Sequence, residues 1–313
     1  MRHHPHFTAY LALACVCFFW GTTYLAIRIA VEEIPPAALM SVRYLISGGV
    51  MLAGAWAKGA QLPRGRELRR TALFGVMTIG FGTGTLVIAE QFIPSGLSAL
   101  LITTSPFWLV GVEALLPGGE PLHAPTIGGM LVGAFGVAFL VSPGGLVAGD
   151  LGRFGLLGWF LLLQFGCMVW SLGSILQRRQ AASEKSSSAH PFVSGAVQQV
   201  ATGLAFVIPA LLGPPVHWTT RSIAATAYLV VFGGIVGYSA FVMIMERLPV
   251  AVASIYTYVN PLIAVLLGVL LYHEPFLPRE VTATAAIFVG ITLVKRATGK
   301  QQRQAAKLAQ KTN

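Results

Sequence analysis

The feature that most constrains this chain is the recurrence, from near its start to residue 297, of apolar stretches about 20 residues long. A helix of that length crosses the ~30 Å hydrocarbon core of a bilayer and satisfies its backbone polar groups within itself. Ten spans are predicted, near 9–31, 36–57, 70–91, 94–117, 124–142, 154–177, 190–212, 222–246, 249–271 and 279–297. Only 10% of the 313 residues are charged and the mean hydropathy is +0.72. A soluble domain carries about 25% charged residues, so the bilayer is the solvent this composition requires. The expected fold class is an all-α polytopic membrane protein with ten transmembrane helices.

The connections are short and punctuated by proline. Ile34-Pro35-Pro36, Ile93-Pro94-Ser95 and Leu248-Pro249 separate neighbouring spans, because proline is tolerated at a helix start and disfavours helix in the residue before it. The first stretch follows Arg2 and three histidines and is not followed by a small-residue cleavage pattern, so it reads as an uncleaved first helix. Cys15, Cys17 and Cys167 all fall in apolar stretches without the spaced Cys and His partners a zinc site needs. Inert buried thiols are expected, with no metal and no cofactor.

Charge sets the expected orientation. With a cytoplasmic N-terminus, 16 of the 21 Lys and Arg fall inside: Arg2, Lys58, Arg64, Arg66, Arg69, Arg70, Arg178, Arg179, Lys185, Arg247, Lys295, Arg296, Lys300, Arg303, Lys307 and Lys311. Only Arg153, Arg221 and Arg279 fall outside, while Arg28 and Arg43 lie within spans. The positive-inside rule therefore places both termini in the cytoplasm of a cell whose inner membrane holds the protein. That arrangement requires an even number of spans. The net charge of +10 is explained by lipid headgroups and topology rather than by nucleic acid.

Comparison of the chain with itself shows two halves. Cys17-Phe18-Phe19-Trp20 matches Cys167-Met168-Val169-Trp170, Pro36 matches Pro191, and Ser47-Gly48 matches Thr202-Gly203. Glu90 falls opposite Glu246, Pro94 and Pro106 opposite Pro249 and Pro261, and Glu120-Pro121 opposite Glu274-Pro275. Shared hydrophobicity alone would not align Trp, Pro and Glu-Pro positions in one order. Five spans per copy make the second copy enter the membrane from the opposite side, so the repeats are inverted, and alternating access follows from exchange of their conformations. The expected divisions are a first five-helix repeat over 1–148, a second over 149–298, and a basic cytoplasmic tail over 299–313.

These residues carry a family resemblance. Trp20-Gly21-Thr22, Pro36 with Arg43-Tyr44, the Pro106 helix with Glu120-Pro121, and the repeated Pro261 and Glu274-Pro275 resemble the EamA-type carriers of the Drug/Metabolite Transporter superfamily, over about residues 8–298. The resemblance implies a gradient-driven secondary carrier, in many relatives an exporter of amino acids or other metabolites, with a central cavity between the repeats. Its partners would be a small-molecule substrate and membrane lipids, in a monomer or homodimer. The four-helix multidrug relatives bind cations through a Glu in the first helix; span 9–31 has none.

Ionisable groups deep in hydrocarbon are costly and point to function. Arg43 is the strongest candidate, as partner of a substrate carboxylate or of an oriented carbonyl; the structural alternative is an arginine that snorkels outward. Gln198 is its counterpart in the second repeat. Arg28 and Glu32, one turn apart, are expected to pair locally. Glu90, Glu113 and Glu246 fall at span ends, and no proton-carrying carboxylate is visible at the midplane. The expected substrate-binding set is Trp20, Arg43, Thr83, Thr103, Trp170, Gln198, Tyr238, Tyr258 and Asn260. Pro106 and Pro261 free backbone carbonyls that neighbours or a wet cavity must satisfy. Gly80–Gly84 and Gly128–Gly136 read as close-packing faces. A membrane-embedded enzyme would need a metal cluster, a nucleophile with its base or paired carboxylates, and a scaffold or receptor would leave the duplication unexplained.

Overall fold

The computed structural model describes residues 5–119, 121–141, 155–183, 190–248, 252, 255–274 and 278–312. Among these it is helical throughout, in ten rods: α1 (Pro5–Val31), α2 (Pro36–Ala57), α3 (Gly65–Ala89), α4 (Ser95–Leu115), α5 (Ala124–Val141), α6 (Gly155–Ser183), α7 (Pro191–Leu211), α8 (Thr220–Ile244, continuing to Arg247), α9 (Tyr256–Tyr272) and α10 (Pro278–Thr312). Seven of them, α1 to α4 and α6 to α8, are long and apolar enough to cross a membrane. The basic tail continues α10 as helix. The expected division near residue 148, Glu120 and most of the 249–254 turn lie outside the described residues, as does the side chain of Glu246.

Local chemistry starts and stops these rods. Pro36 and Pro191 open α2 and α7 at the first turn, where the missing N–H costs nothing. Thr219 and Ser222 form a reciprocal capping box at α8. His273 closes α9 in the left-handed conformation (φ 53°). That reversal carries Glu274 back across the bundle to the start of α4, where its carboxylate accepts from Ser95 N (2.8 Å), Ser95 Oγ (2.9 Å) and Gly96 N (3.0 Å). The Glu-Pro motif at 274 thus caps a helix 179 residues away.

Helix contacts exchange when each rod n is replaced by rod n+5. The α1–α9 contact becomes α6–α4, α1–α8 becomes α6–α3, and α2–α8 becomes α7–α3, whereas α2–α7, α5–α10 and α4–α9 map onto themselves. The exchange holds at the level of single residues. A Cβ on Gly48 would lie 2.7 Å from Val200 N, and one on Gly203 would lie 2.7 Å from Leu45 N. Trp170 packs on Gly82 as Trp20 packs on Gly237. Glu274 binds the start of α4, so α4 runs antiparallel to α9; Glu32 meets Tyr272 at the far ends of α1 and α9, while Arg178 meets Glu113 at the far ends of α6 and α4. The lead helices α1 and α6 therefore run in opposite directions.

Two rods depart from the regular helices expected. Val76–Thr83 in α3 and Leu229–Val236 in α8 are π-helical, a geometry that gathers at functional sites. The wide turns let tryptophan approach: Trp20 Nε1 donates to Gly233 O (3.2 Å) inside the α8 segment. The glycine faces pack as expected, with Gly129 and Gly136 against α10 and Gly133 against Phe107 and Gly290. Gly128, by contrast, faces open space.

Candidate functional site

Arg43 lies eight residues into α2, about 10 Å along the helix at a 1.5 Å rise per residue. It does not snorkel: it is 5% exposed, and its Nε and Nη1 have no hydrogen-bond partner. The guanidinium stacks 4.8 Å from the Tyr44 ring centroid, and its Nη2 lies against Gly233, as does the Thr23 methyl. Any side chain at 233 would occupy that space, so the π segment of α8 brings bare backbone to the cation. Trp20 forms the adjoining wall, stacked on Phe241 (5.0 Å) and edge-on to Tyr256 (5.5 Å). Below Arg43, Ser47 Oγ contacts Gln199 Oε1 (2.5 Å) where α2 crosses α7.

Gln198, the counterpart of Arg43, is 3% exposed and packs on Gly75 of α3. Its Oε1 accepts from Tyr238 (3.3 Å), while Nε2 has no partner. The four residues form two pairs, Arg43 with Trp20 at Gly233 of α8 and Gln198 with Tyr238 further along α8. Trp170 and Thr83 sit on the related α3–α6 contact, with Trp170 against Gly82 and half-buried Thr83 beside it.

The other three predicted residues spend their polar groups elsewhere. Thr103 Oγ1 donates to Ala99 O within its own helix (2.9 Å). Tyr258 faces α10, with Phe288 edge-on (5.7 Å) and Lys295 Nζ 4.2 Å from its ring centroid. Asn260, with its amide nitrogen turned toward the carbonyls, donates to Tyr256 O (3.0 Å) and Cys17 O (2.9 Å) and ties α9 to α1. At the Pro106 break, Ser105 Oγ serves Ile102 O (2.5 Å) and Gln164 Nε2 serves Leu101 O (3.1 Å). Side chains, rather than a wet cavity, satisfy the freed carbonyls there.

The expected pair of Arg28 with Glu32 does not form, and Glu90, expected at a span end, is buried. Arg28 does not pair with Glu32; its Nη1 donates to the main-chain oxygen of Glu90. Glu32 instead pairs with Arg221 (3.0 Å) and accepts from Tyr272, and Thr219 donates to Glu33. Helix ends brought together in space outcompete a one-turn neighbour. The Thr219 and Ser222 hydroxyls hold the Glu33 carboxyl below its ordinary value. At the opposite end, Glu113 pairs with Arg178 (2.7 Å) and Arg179 (2.8 Å). Both ends of the bundle are tied in this structure. Glu90 caps the end of α3, 0% exposed, with both carboxylate oxygens unpaired. Its position at a span end hid it, since hydropathy alone places such a residue at the interface.

A groove of about 300 Å³ between α2 and α8 is lined by aliphatic side chains such as Val42, Ile46, Ile223 and Val230. Thr226 and Trp218 are the residues of its lining with a polar side-chain atom. No group of three or more His, Cys, Asp or Glu that could hold a metal occurs among the described residues.

A bundle of apolar helices with contacts that exchange between its halves defines a polytopic helical membrane protein. The EamA-like transporter family model matches residues 7–142 and again 157–296, and the chain belongs to that family. It is 30% identical over 298 residues to the "Uncharacterized inner membrane transporter YedA" of Escherichia coli, covering 94% of this chain and 92% of the relative. Similarity extends to a "Probable terminal-alkyne amino-acid exporter" of Streptantibioticus cattleyicolor, at 25% identity over 94% and 96% of the two chains. One solved crystal structure shares the fold with a TM-score of 0.63 at 22% identity, over 94% of this chain and 98% of its own. The chain is thus a membrane transporter.

Proposed function

We propose that this transporter exports an amino acid or a closely related zwitterion, coupled to an ion gradient, by alternating access between inverted repeats at 1–148 and 149–298. In this reading all ten rods span the inner membrane and both termini are cytoplasmic. Arg43 binds the substrate carboxylate, Trp20 covers its apolar part, and Gln198 with Tyr238 forms the polar wall from the second repeat. The observation that carries the proposal is the buried Arg43 guanidinium whose Nε and Nη1 have no partner. A buried cation with unpaired donors is costly, and an incoming carboxylate supplies a charge-assisted acceptor at the guanidinium edge. The exporter named among the relatives handles an amino acid, which agrees in chemical class.

The test is counterflow of radiolabelled amino acids in proteoliposomes, wild type against Arg43→Gln. Loss of counterflow in a variant that elutes and melts like wild type is expected. Wild-type rates in Arg43→Gln would remove the carboxylate site, and absence of counterflow with every amino acid would remove the substrate class.

A further inference from the structure

Glu90 stands outside the carboxylate site just described, yet it shares its character. It is wholly buried at the end of α3, and neither carboxylate oxygen has a hydrogen-bond partner. Its backbone is held in place, because Arg28 donates to the Glu90 carbonyl rather than to its carboxylate. The side chain is therefore positioned and left unsatisfied. Such a group in a folded interior calls for a ligand or a proton. The ionisable groups around it are Arg28 and Tyr24 from α1, Arg43 from α2, Glu274 after α9, and Cys167 of α6 beside Tyr24. Glu274 is already occupied in capping α4. Arg28 is occupied by a carbonyl. Arg43 and Glu90 remain, opposite in sign, both buried and both with unpaired atoms, on helices that pack together where α2 meets the last turns of α3.

We propose that Glu90 is the second pole of the substrate site, where the substrate's ammonium group and a proton compete for one carboxylate. This rests on the amino-acid reading of Arg43. Without substrate Glu90 is the neutral acid, since an ionised carboxylate would lose its water without gaining a partner. When a zwitterion enters, its carboxylate pairs with Arg43 and its ammonium with Glu90, whose proton leaves to the open side. Release of substrate on the other side returns a proton to Glu90 from that side. One proton moves against one substrate per cycle, with no bond made or broken except to hydrogen. Two poles of opposite sign also explain how a zwitterion is told from a plain carboxylate: the latter would leave Glu90 without a counter-charge.

The experiment uses the full chain in proteoliposomes with pyranine in a weakly buffered lumen. A panel of the standard amino acids in counterflow supplies the probe, which is then compared with its des-amino carboxylate, as L-phenylalanine with 3-phenylpropionate. Wild type is expected to move about one proton opposite to each amino acid, and to prefer the amino acid over its des-amino analogue by about tenfold or more. Glu90→Gln is expected to lose the proton movement and that preference together, its exchange of the amino acid falling to the level of the des-amino carboxylate; Glu90→Asp is expected to retain both in part. Wild-type transport of an amino acid without proton movement would overturn the proposal with no variant needed, and so would an unchanged preference in Glu90→Gln. Failure of wild type to carry any amino acid would instead sink the reading on which it rests.

Discussion

Replacing Glu274 by Ala removes the one side chain that closes the start of α4. Its carboxylate accepts two main-chain N–H groups and the Ser95 hydroxyl at 2.8–3.0 Å. A hydrogen bond to a charged group contributes about 1.5–3 kcal/mol, and loss of an N-cap costs about 0.5–2 kcal/mol. The three bonds share one carboxylate and Glu274 is partly exposed, so the two figures overlap and are discounted together to about 2–3 kcal/mol. Water cannot compensate fully, because Ser95 and Gly96 are buried and Gly268 leaves room only for the carboxylate. The measurement is thermal unfolding in detergent followed by loss of the monodisperse peak. With about 2–4 °C per kcal/mol for chains of 150–250 residues, the midpoint is expected to fall by roughly 4–12 °C. Glu274→Gln is expected to lose about half as much, since its oxygen still serves Ser95 while its NH₂ faces the Gly96 donor. An Ala variant that melts within about 1 °C of wild type would refute the idea that this motif works as a helix cap.

At the α2–α7 crossing, Gly48→Ala forces a Cβ to 2.7 Å from Val200 N and is expected to cost about 1–3 kcal/mol in unfolding. Gly49→Ala, with nothing within 4 Å, is expected to melt like wild type; equal behaviour of the two would deny the close approach. The Glu33 contact with Thr219 and Ser222 is sensitive to acid. Because the folded-state value is depressed below 4.5, the contact stabilises the fold at neutral pH and is lost as pH falls through that depressed value. The melting difference between wild type and Glu33→Gln should thus be largest at pH 7 and shrink steadily as pH falls below the ordinary carboxylate range, and a difference that does not shrink on acidification would refute the assignment. Arg221→Gln removes the partner of Glu32 and should raise the rate at which a cysteine placed at Thr22 reacts with a membrane-impermeant thiol reagent from the α1 far end. An unchanged rate would show that the ion pair does not hold that end closed.

Much of the architecture follows from terms that act locally. Twenty apolar residues must be helix in a bilayer whatever they touch, and proline marks the breaks, so the rods lie close to where hydropathy put them. Arg43 was legible for the same reason: a cation in hydrocarbon is conspicuous against its own neighbours. Matching Trp, Pro, Gly and Glu-Pro positions likewise announced two related halves, because duplication leaves its trace in chain order. What tertiary structure alone decided is who meets whom across long separations. Glu274 reads as a turn residue until α9 folds back on α4. Glu32 prefers Arg221 to Arg28 because helix ends converge there. The π segments have no local sign in sequence, since one extra residue per turn is held by packing of Trp20 and Trp170 against Gly237 and Gly82. Glu90 is the sharpest case. Hydropathy measures the cost of moving a residue from water to lipid, and a carboxylate at a span end incurs little. Only the packing of α1, α2 and α6 around it removes the water and turns a residue of the interface into one of the interior.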